Sequence, residues 1–112
     1  AVFGDNENEM GVAAKAVQQA QGGQSVVSGG VVLAVLPLPI AGLMSDAPPE
    51  VVIEQQHIVL AAVATLGCPL DDPFMPLSFL PLSVIPKLKL SDLGLVNVDQ
   101  FAIVPIEVCA TE

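Results

Sequence analysis

The chain has 112 residues, enough for one domain, and 53% of them are hydrophobic while only 13% are charged. Its net charge is −9 and its cationic side chains are Lys15, Lys87 and Lys89, which excludes nucleic acid as a partner and disfavours an anionic membrane surface. Since no apolar run reaches the ~18 residues of a membrane span, the surplus apolar side chains predict an interface with another domain or chain.

The first residues predict the end of a strand followed by a helix. Ala1–Phe3 is apolar and ends at a glycine, so we expect a strand end and, from its position, a fragment of a longer polypeptide. Asn6 is suited to cap a helix near residues 6–21, with Glu9 completing a capping box. Small apolar residues recur at helical spacing and form the predicted buried stripe, namely Met10, Ala13, Ala14, Val17 and Ala20.

Two short β-rich runs follow, at residues 24–28 and 31–36. The Gly29-Gly30 pair between them predicts an antiparallel hairpin, because both glycines tolerate the positive φ of a two-residue turn. Residues 31–36 do not alternate with polar side chains. We therefore expect the second strand to be buried on both faces and central in its sheet.

A stiff apolar connection leads from this strand to a long helix. Pro37 and Pro39 restrict the backbone, Gly42 permits a bend, and Ser45 and Asp46 can accept bonds from the first amides of the helix. The helix is predicted near residues 47–66. Its apolar face would be formed by Val51, Val52, Ile58, Val59, Ala62, Val63 and Leu66, with Ile53 and Leu60 widening that face beyond the needs of one sheet.

Prolines dominate the last third of the chain. Asp71-Asp72-Pro73 predicts a turn, and the three prolines within residues 74–90 argue against an ordinary helix. We expect a buried extended segment there, with one short strand at Leu77–Leu80. Residues 87–90 alternate like an edge strand, residues 91–94 form a turn, and residues 98–104 form a final strand or strand pair.

Together these elements predict an α/β (α+β-like) domain over residues 1–112. It would have a mixed β-sheet of about five strands with two main helices packed on it.

The residues that could carry chemistry are few. His57, the one histidine, lies on the polar side of its helix, so it predicts a solvated side chain rather than a triad or metal site. Cys68 and Cys109 show no metal-binding spacing; reduced thiols of a cytoplasmic protein are favoured, and a disulfide remains open. Asp71 and Asp72 are either turn residues or a carboxylate pair for acid–base or cation chemistry.

Several longer motifs resemble the C-terminal domain of microbial adenine deaminase. They are residues 37–46 (PLPIAGLMSD), residues 72–80 (DPFMPLSFL) and residues 84–96 (VIPKLKLSDLGLV), together with Gly4-Asp5-Asn6, Met10 and Gly22-Gly23. The similarity covers roughly residues 2–104 in the family's order.

The resemblance implies a hydrolase of the amidohydrolase superfamily that converts adenine and water to hypoxanthine and ammonia. It also implies that the metal, Mn or Fe, and the general base belong to a (β/α)₈ barrel that precedes this domain. We therefore expect no catalytic residue, no metal ligand and no cofactor within this chain. The barrel would be its partner, and a homo-oligomer is possible as well.

The surface expected to face the barrel combines two segments whose apolar side chains lie next to carboxylates: Gly42, Leu43, Met44, Ser45 and Asp46, and Asp72, Pro73, Phe74 and Met75. The alternative is that these side chains fill the domain's own core. For the whole chain, the alternative function is a stand-alone binding or oligomerisation module without catalytic activity.

Overall fold

The computed structural model describes residues 1–106. The chain divides into two compact units, each with its own internal contacts. The N-terminal unit is Val2–Pro73, and the C-terminal unit runs from Phe74 onward and includes Ala1. The N-terminal unit contains α1 (Glu7–Gln19), β1 (Gly23–Ser28), β2 (Val31–Pro37) and α2 (Pro49–Thr65). The C-terminal unit contains α3 (Phe74–Phe79), β3 (Leu88–Ser91), β4 (Gly94–Asn97) and β5 (Ala102–Val104).

The α/β class and the five strands are confirmed, but the strands do not form one mixed sheet. Within residues 1–106 they form a two-stranded sheet, β1-β2, and a three-stranded sheet in the order β3-β4-β5. Every strand pair in this part of the chain is antiparallel. No helix of the described residues is long and apolar enough to cross a bilayer.

Helix α1 begins where its capping residue predicts. The side chain of Asn6 accepts hydrogen bonds from the backbone amides of Asn8, at 2.9 Å, and Glu9, at 3.4 Å. The predicted stripe is wrong at Ala14, which is exposed, whereas Ala16 is buried at 8% exposure. The small side chains on this face let the helix approach β1, where the Ser25 hydroxyl donates to the carbonyl of Ala13 at 3.0 Å.

The hairpin is confirmed. Gly29 and Gly30 have φ of 60° and 75°, and Ser28 pairs with Val31 across the turn. The expectation for β2 is wrong, because β1 is its one described neighbour and its first three residues, Val31, Val32 and Leu33, are exposed. Helices cover the other end of the ribbon, where Val26, Ala34 and Leu36 are buried.

Helix α2 starts at Pro49, three residues after Asp46, which was its predicted cap. Its N-cap is Pro48, which has no side-chain hydrogen bond, and its last turn is followed by Gly67 in the left-handed conformation, φ 82°. Val59 is fully buried, and the side opposite carries the exposed Glu54, His57 and Ala61. The predicted face is too wide, because Val51, Ile58 and Leu66 are exposed.

The C-terminal unit differs most from expectation. Residues 74–79 form helix α3 rather than a buried extended segment with a strand at Leu77–Leu80. Pro76 is accommodated because it occupies the first turn, where the amide of an α-helical residue has no partner within the helix. Ala1–Phe3 is not a strand in the described structure either.

The edge strand and its turn are confirmed. Strand β3 lies at the edge of the three-stranded sheet, and Asp92 and Leu93 form the turn to β4. Ser91 stabilises that turn, since its hydroxyl accepts from the Leu93 amide and donates to the Gly94 carbonyl. The strand predicted over residues 98–104 is shorter, because Val98–Gln100 is a 3₁₀ turn and only Ala102–Val104 pairs.

Candidate functional site

The connection between β2 and α2 contains a tight backbone turn that displays two apolar side chains. Ile40 and Met44 exchange backbone hydrogen bonds of 3.0 and 3.1 Å, and the Leu43 amide also donates to Ile40, at 3.1 Å. Ala41 and Gly42 at the tip have φ of 56° and 72°. The bend predicted at Gly42 is therefore confirmed.

Gly22, just after the end of α1, holds this turn in place. The Gly22 amide donates to Val17 at 2.9 Å, which closes the helix, and the Gly22 carbonyl accepts from the Leu38 amide at 3.0 Å. A Cβ atom on Gly22 would lie 2.6 Å from the Leu38 carbonyl oxygen and 2.7 Å from Cα of Gly42. Only glycine fits at this close approach of two backbones.

An open groove of about 410 Å³ lies between this turn and the start of α2. Its lining is apolar except for Ser45, and consists of Leu38, Leu43, Met44, Ser45, Ala47, Pro49, Val52 and Ile53. Such a groove accepts apolar groups by removing their surface and its own from water. It offers almost nothing that could polarise or protonate a substrate.

The exposure of Leu43 and Met44 bears on the two alternatives for this segment. Leu43 is 75% exposed and Met44 is 59% exposed, so neither side chain fills the core of the N-terminal unit. Large apolar side chains that share an exposed groove are typical of a surface that contacts a partner. That this partner is a barrel remains a prediction.

The second predicted segment crosses the boundary between the two units. Asp72 and Pro73 end the N-terminal unit and Phe74 and Met75 begin the C-terminal one. Asp72, Pro73 and Phe74 are half-buried, while Met75 is 57% exposed. Phe74 and Met75 form the first turn of α3, a helix that the sequence did not predict.

The predicted roles of Ser45 and Asp46 are only partly correct. The Ser45 hydroxyl accepts from the Ala47 amide at 3.1 Å, which fixes the chain just before α2. Asp46 is exposed and is not the N-cap, since the helix begins three residues later behind Pro48. Pro49 needs no capping partner because it has no amide hydrogen.

Within the described residues, no three His, Cys, Asp and Glu side chains come close enough to hold a metal ion. His57 is exposed, as predicted. Cys68 is a half-buried free thiol, whereas Cys109 lies outside the described residues, so the state of the pair stays a prediction.

Sequence reasoning missed several residues that build the groove. The sequence places Leu38 in the connection, Ala47 and Pro49 at the start of the second helix, and Gly22 at the end of the first. One signal was available: Ile53 widens the apolar face of α2 further than one sheet requires, and it lines the groove. Nothing in the sequence indicated that Gly22 touches Gly42.

Comparison with known proteins identifies the relatives of the chain. A family model described as adenine deaminase C-terminal domain matches residues 1–102. The chain is 54% identical over 105 residues to an adenine deaminase of Oleidesulfovibrio alaskensis and 52% identical over 99 residues to one of Methylobacterium nodulans. These alignments cover 94% and 88% of the chain but only 18% of each relative. The chain belongs to the adenine deaminase C-terminal domain family.

Proposed function

We propose that the chain is the C-terminal domain of an adenine deaminase, which hydrolyses adenine to hypoxanthine and ammonia. The observation that carries this proposal is the identity of 54% across 94% of the chain with a protein named adenine deaminase. Because the chain spans 18% of the length of that relative, the reaction centre belongs to the larger remainder of the polypeptide.

In this proposal the domain itself is not catalytic. The parent enzyme is of the amidohydrolase type, and its (β/α)₈ barrel holds Mn or Fe together with the general base. A metal held in that barrel would supply an activated water for the hydrolysis at C6 of the purine. The described residues of this chain do not fit such an ion, since they bring together no set of three ligands.

The contribution of this chain is to dock on the barrel through its apolar groove. Leu43 and Met44 stand at the rim with most of their surface exposed, so docking would remove that surface from water. Methionine suits such a contact because its flexible thioether fills irregular gaps. The second segment, with the half-buried Asp72 and Phe74 and the exposed Met75, is proposed as a separate contact with the barrel.

The finer parts of the proposal concern the setting of the enzyme. We place it in the cytoplasm, in purine salvage, where recovered adenine is its substrate. A homo-oligomer of the parent enzyme is compatible with the same docking surface. Cell fractionation and the mass of the purified protein in solution test these two statements.

The test of the function is ammonia release from adenine. The full-length protein that contains this chain is assayed with added Mn²⁺ or Fe²⁺, beside the 112-residue chain alone. We expect hypoxanthine and ammonia in equal amounts from the full-length protein and no release above buffer from the chain alone. Release by the chain alone would contradict the non-catalytic role. An upstream region without a barrel would favour a stand-alone binding or oligomerisation module.

A further inference from the structure

The outer edge of β2 has the composition of a strand that is paired on both sides. β2 contains no polar side chain, and Val31, Val32 and Leu33 are 62%, 39% and 44% exposed. Exposed edge strands in native proteins are usually blunted by charges or proline. In β2 the one proline is the last residue, and the one irregularity is a bulge that leaves Leu33 unpaired between Val32 and Ala34.

The other edge of the ribbon looks different. β1 carries Gln24, Ser25 and Ser28, so its composition tolerates water along the edge. These observations make the edge of β2, and not that of β1, the position where a neighbour is missing.

We propose that the outer edge of β2 is paired by a strand of the same polypeptide that leads into Val2 and Phe3. Both residues are apolar and exposed, Phe3 by 85%, and they directly precede the capped start of α1. The family relatives are more than five times longer than the stretch they share with this chain, so residues to form such a strand are available.

The direction of this strand follows from the connection through α1. The proposed strand leads into α1, and α1 packs on β1 and β2 before it leads into β1. Such a strand–helix–strand unit is a crossover connection, so the proposed strand runs parallel to β1. It is therefore antiparallel to β2, in the split arrangement where a hairpin strand separates the two parallel ones. Val2 and Phe3 pair with no strand in the described chain; in the full-length protein they would end the added strand beside Val31–Leu33, so that the exposed apolar ends of the two strands cover each other.

This inference does not depend on the substrate, because it holds for any reaction of the parent enzyme. A symmetric pairing of β2 with β2 of a second copy is the competing occupant. The longer polypeptide favours the strand of the same chain, since pairing within one molecule needs no second copy to meet it.

Amide hydrogen exchange on the full-length protein tests the pairing residue by residue. In a strand with one neighbour only alternate amides are bonded to the ladder, so only alternate amides exchange slowly. We expect all amides from Val31 to Leu36, except that of the bulged Leu33, to exchange at least about tenfold more slowly than unpaired ones. Strand β1 is the internal control, and alternate protection is expected there. Alternate protection in β2 as well would overturn the proposal.

Two further readouts identify the occupant. Protection of β2 that disappears when the protein is diluted to a monomer means that a second copy pairs there, and this would overturn the assignment.

In the full-length protein, Phe3→Cys is combined with Val31→Cys, Val32→Cys or Leu33→Cys, and Phe3→Cys with Ser28→Cys is the matched control. We expect a disulfide in at least one of the three pairs and none in the control. Absence of all three would mean that another segment occupies the edge.

Discussion

The Gly22→Ala substitution tests how the groove is held in place. An added Cβ would lie 2.6 Å from the Leu38 carbonyl oxygen and 2.7 Å from Cα of Gly42, and both are backbone atoms that cannot swing away. The backbone at Gly22 has φ 128°, a value that residues other than glycine rarely adopt. Strained backbone costs about 1–3 kcal/mol and overpacking a further 1–3 kcal/mol, so we expect a loss of about 2–6 kcal/mol in the free energy of unfolding.

Gly29→Ala is the matched control for this substitution. Gly29 also has positive φ, 60°, but a Cβ there meets no atom within 4 Å. Its expected cost is about 1 kcal/mol, from the left-handed conformation alone. Urea unfolding of the 112-residue chain measures both, and at an m value of about 2 kcal/mol per M the two midpoints should differ by about 0.5–2.5 M. If Gly22→Ala costs no more than Gly29→Ala, the close approach of Gly22 to the turn is wrong.

Four further substitutions test the packing and the caps. Val59→Ala removes the one fully buried side chain of α2 and should lower the free energy of unfolding by about 2–3 kcal/mol, whereas Val51→Ala on the exposed flank should change it by less than about 0.5 kcal/mol. Asn6→Ala removes the acceptor for the Asn8 and Glu9 amides and should cost about 1 kcal/mol, seen as a lower thermal midpoint; no change would mean that the cap is not formed. Phe101 is 88% exposed with φ 50°, so Phe101→Gly should raise the stability of the C-terminal unit by up to about 1 kcal/mol, and a loss would mean that the aromatic ring has a packing role.

The parts of the fold that the sequence predicts well are those set by local chemistry. The Gly29-Gly30 turn, the Asn6 cap and the Gly67 helix end each depend on the conformation or hydrogen bonding of a few adjacent residues. The ends of α1 fall within two residues of their predicted positions for the same reason. The bend at Gly42 also belongs to this class.

The misses arise where the outcome depends on neighbours that are distant in sequence. Strand β2 is apolar on both faces, which predicts a central strand, yet within the described residues it has one neighbour. Pro76 was weighed as a helix breaker, although in the first turn of α3 it breaks nothing. Gly94 and Asn97 are residue types that favour turns, yet they are the first and last residues of β4. Their pairing with neighbouring strands outweighs that local preference.

Of the residues predicted to face a barrel, Leu43, Met44 and Ser45 line one groove, and their contact with a barrel stays a prediction. Their exposure follows from the tight turn at Ala41 and Gly42. The role of Gly22 was not accessible, because a contact between two backbones leaves no pattern in the side chains. The cap assigned to Asp46 failed because two prolines move the start of α2 along the chain.

The most direct test of the docking role of the groove is Met44→Ala in the full-length protein, with ammonia release from adenine as the assay. Met44 is 59% exposed in this chain, so its truncation should change the unfolding free energy of the 112-residue chain by less than about 0.5 kcal/mol. If the groove docks on the catalytic part, the same substitution leaves a gap in that interface and lowers the rate of ammonia release by the full-length enzyme. An unchanged rate, or a loss of about 2–5 kcal/mol in the stability of the chain itself, would contradict the docking role.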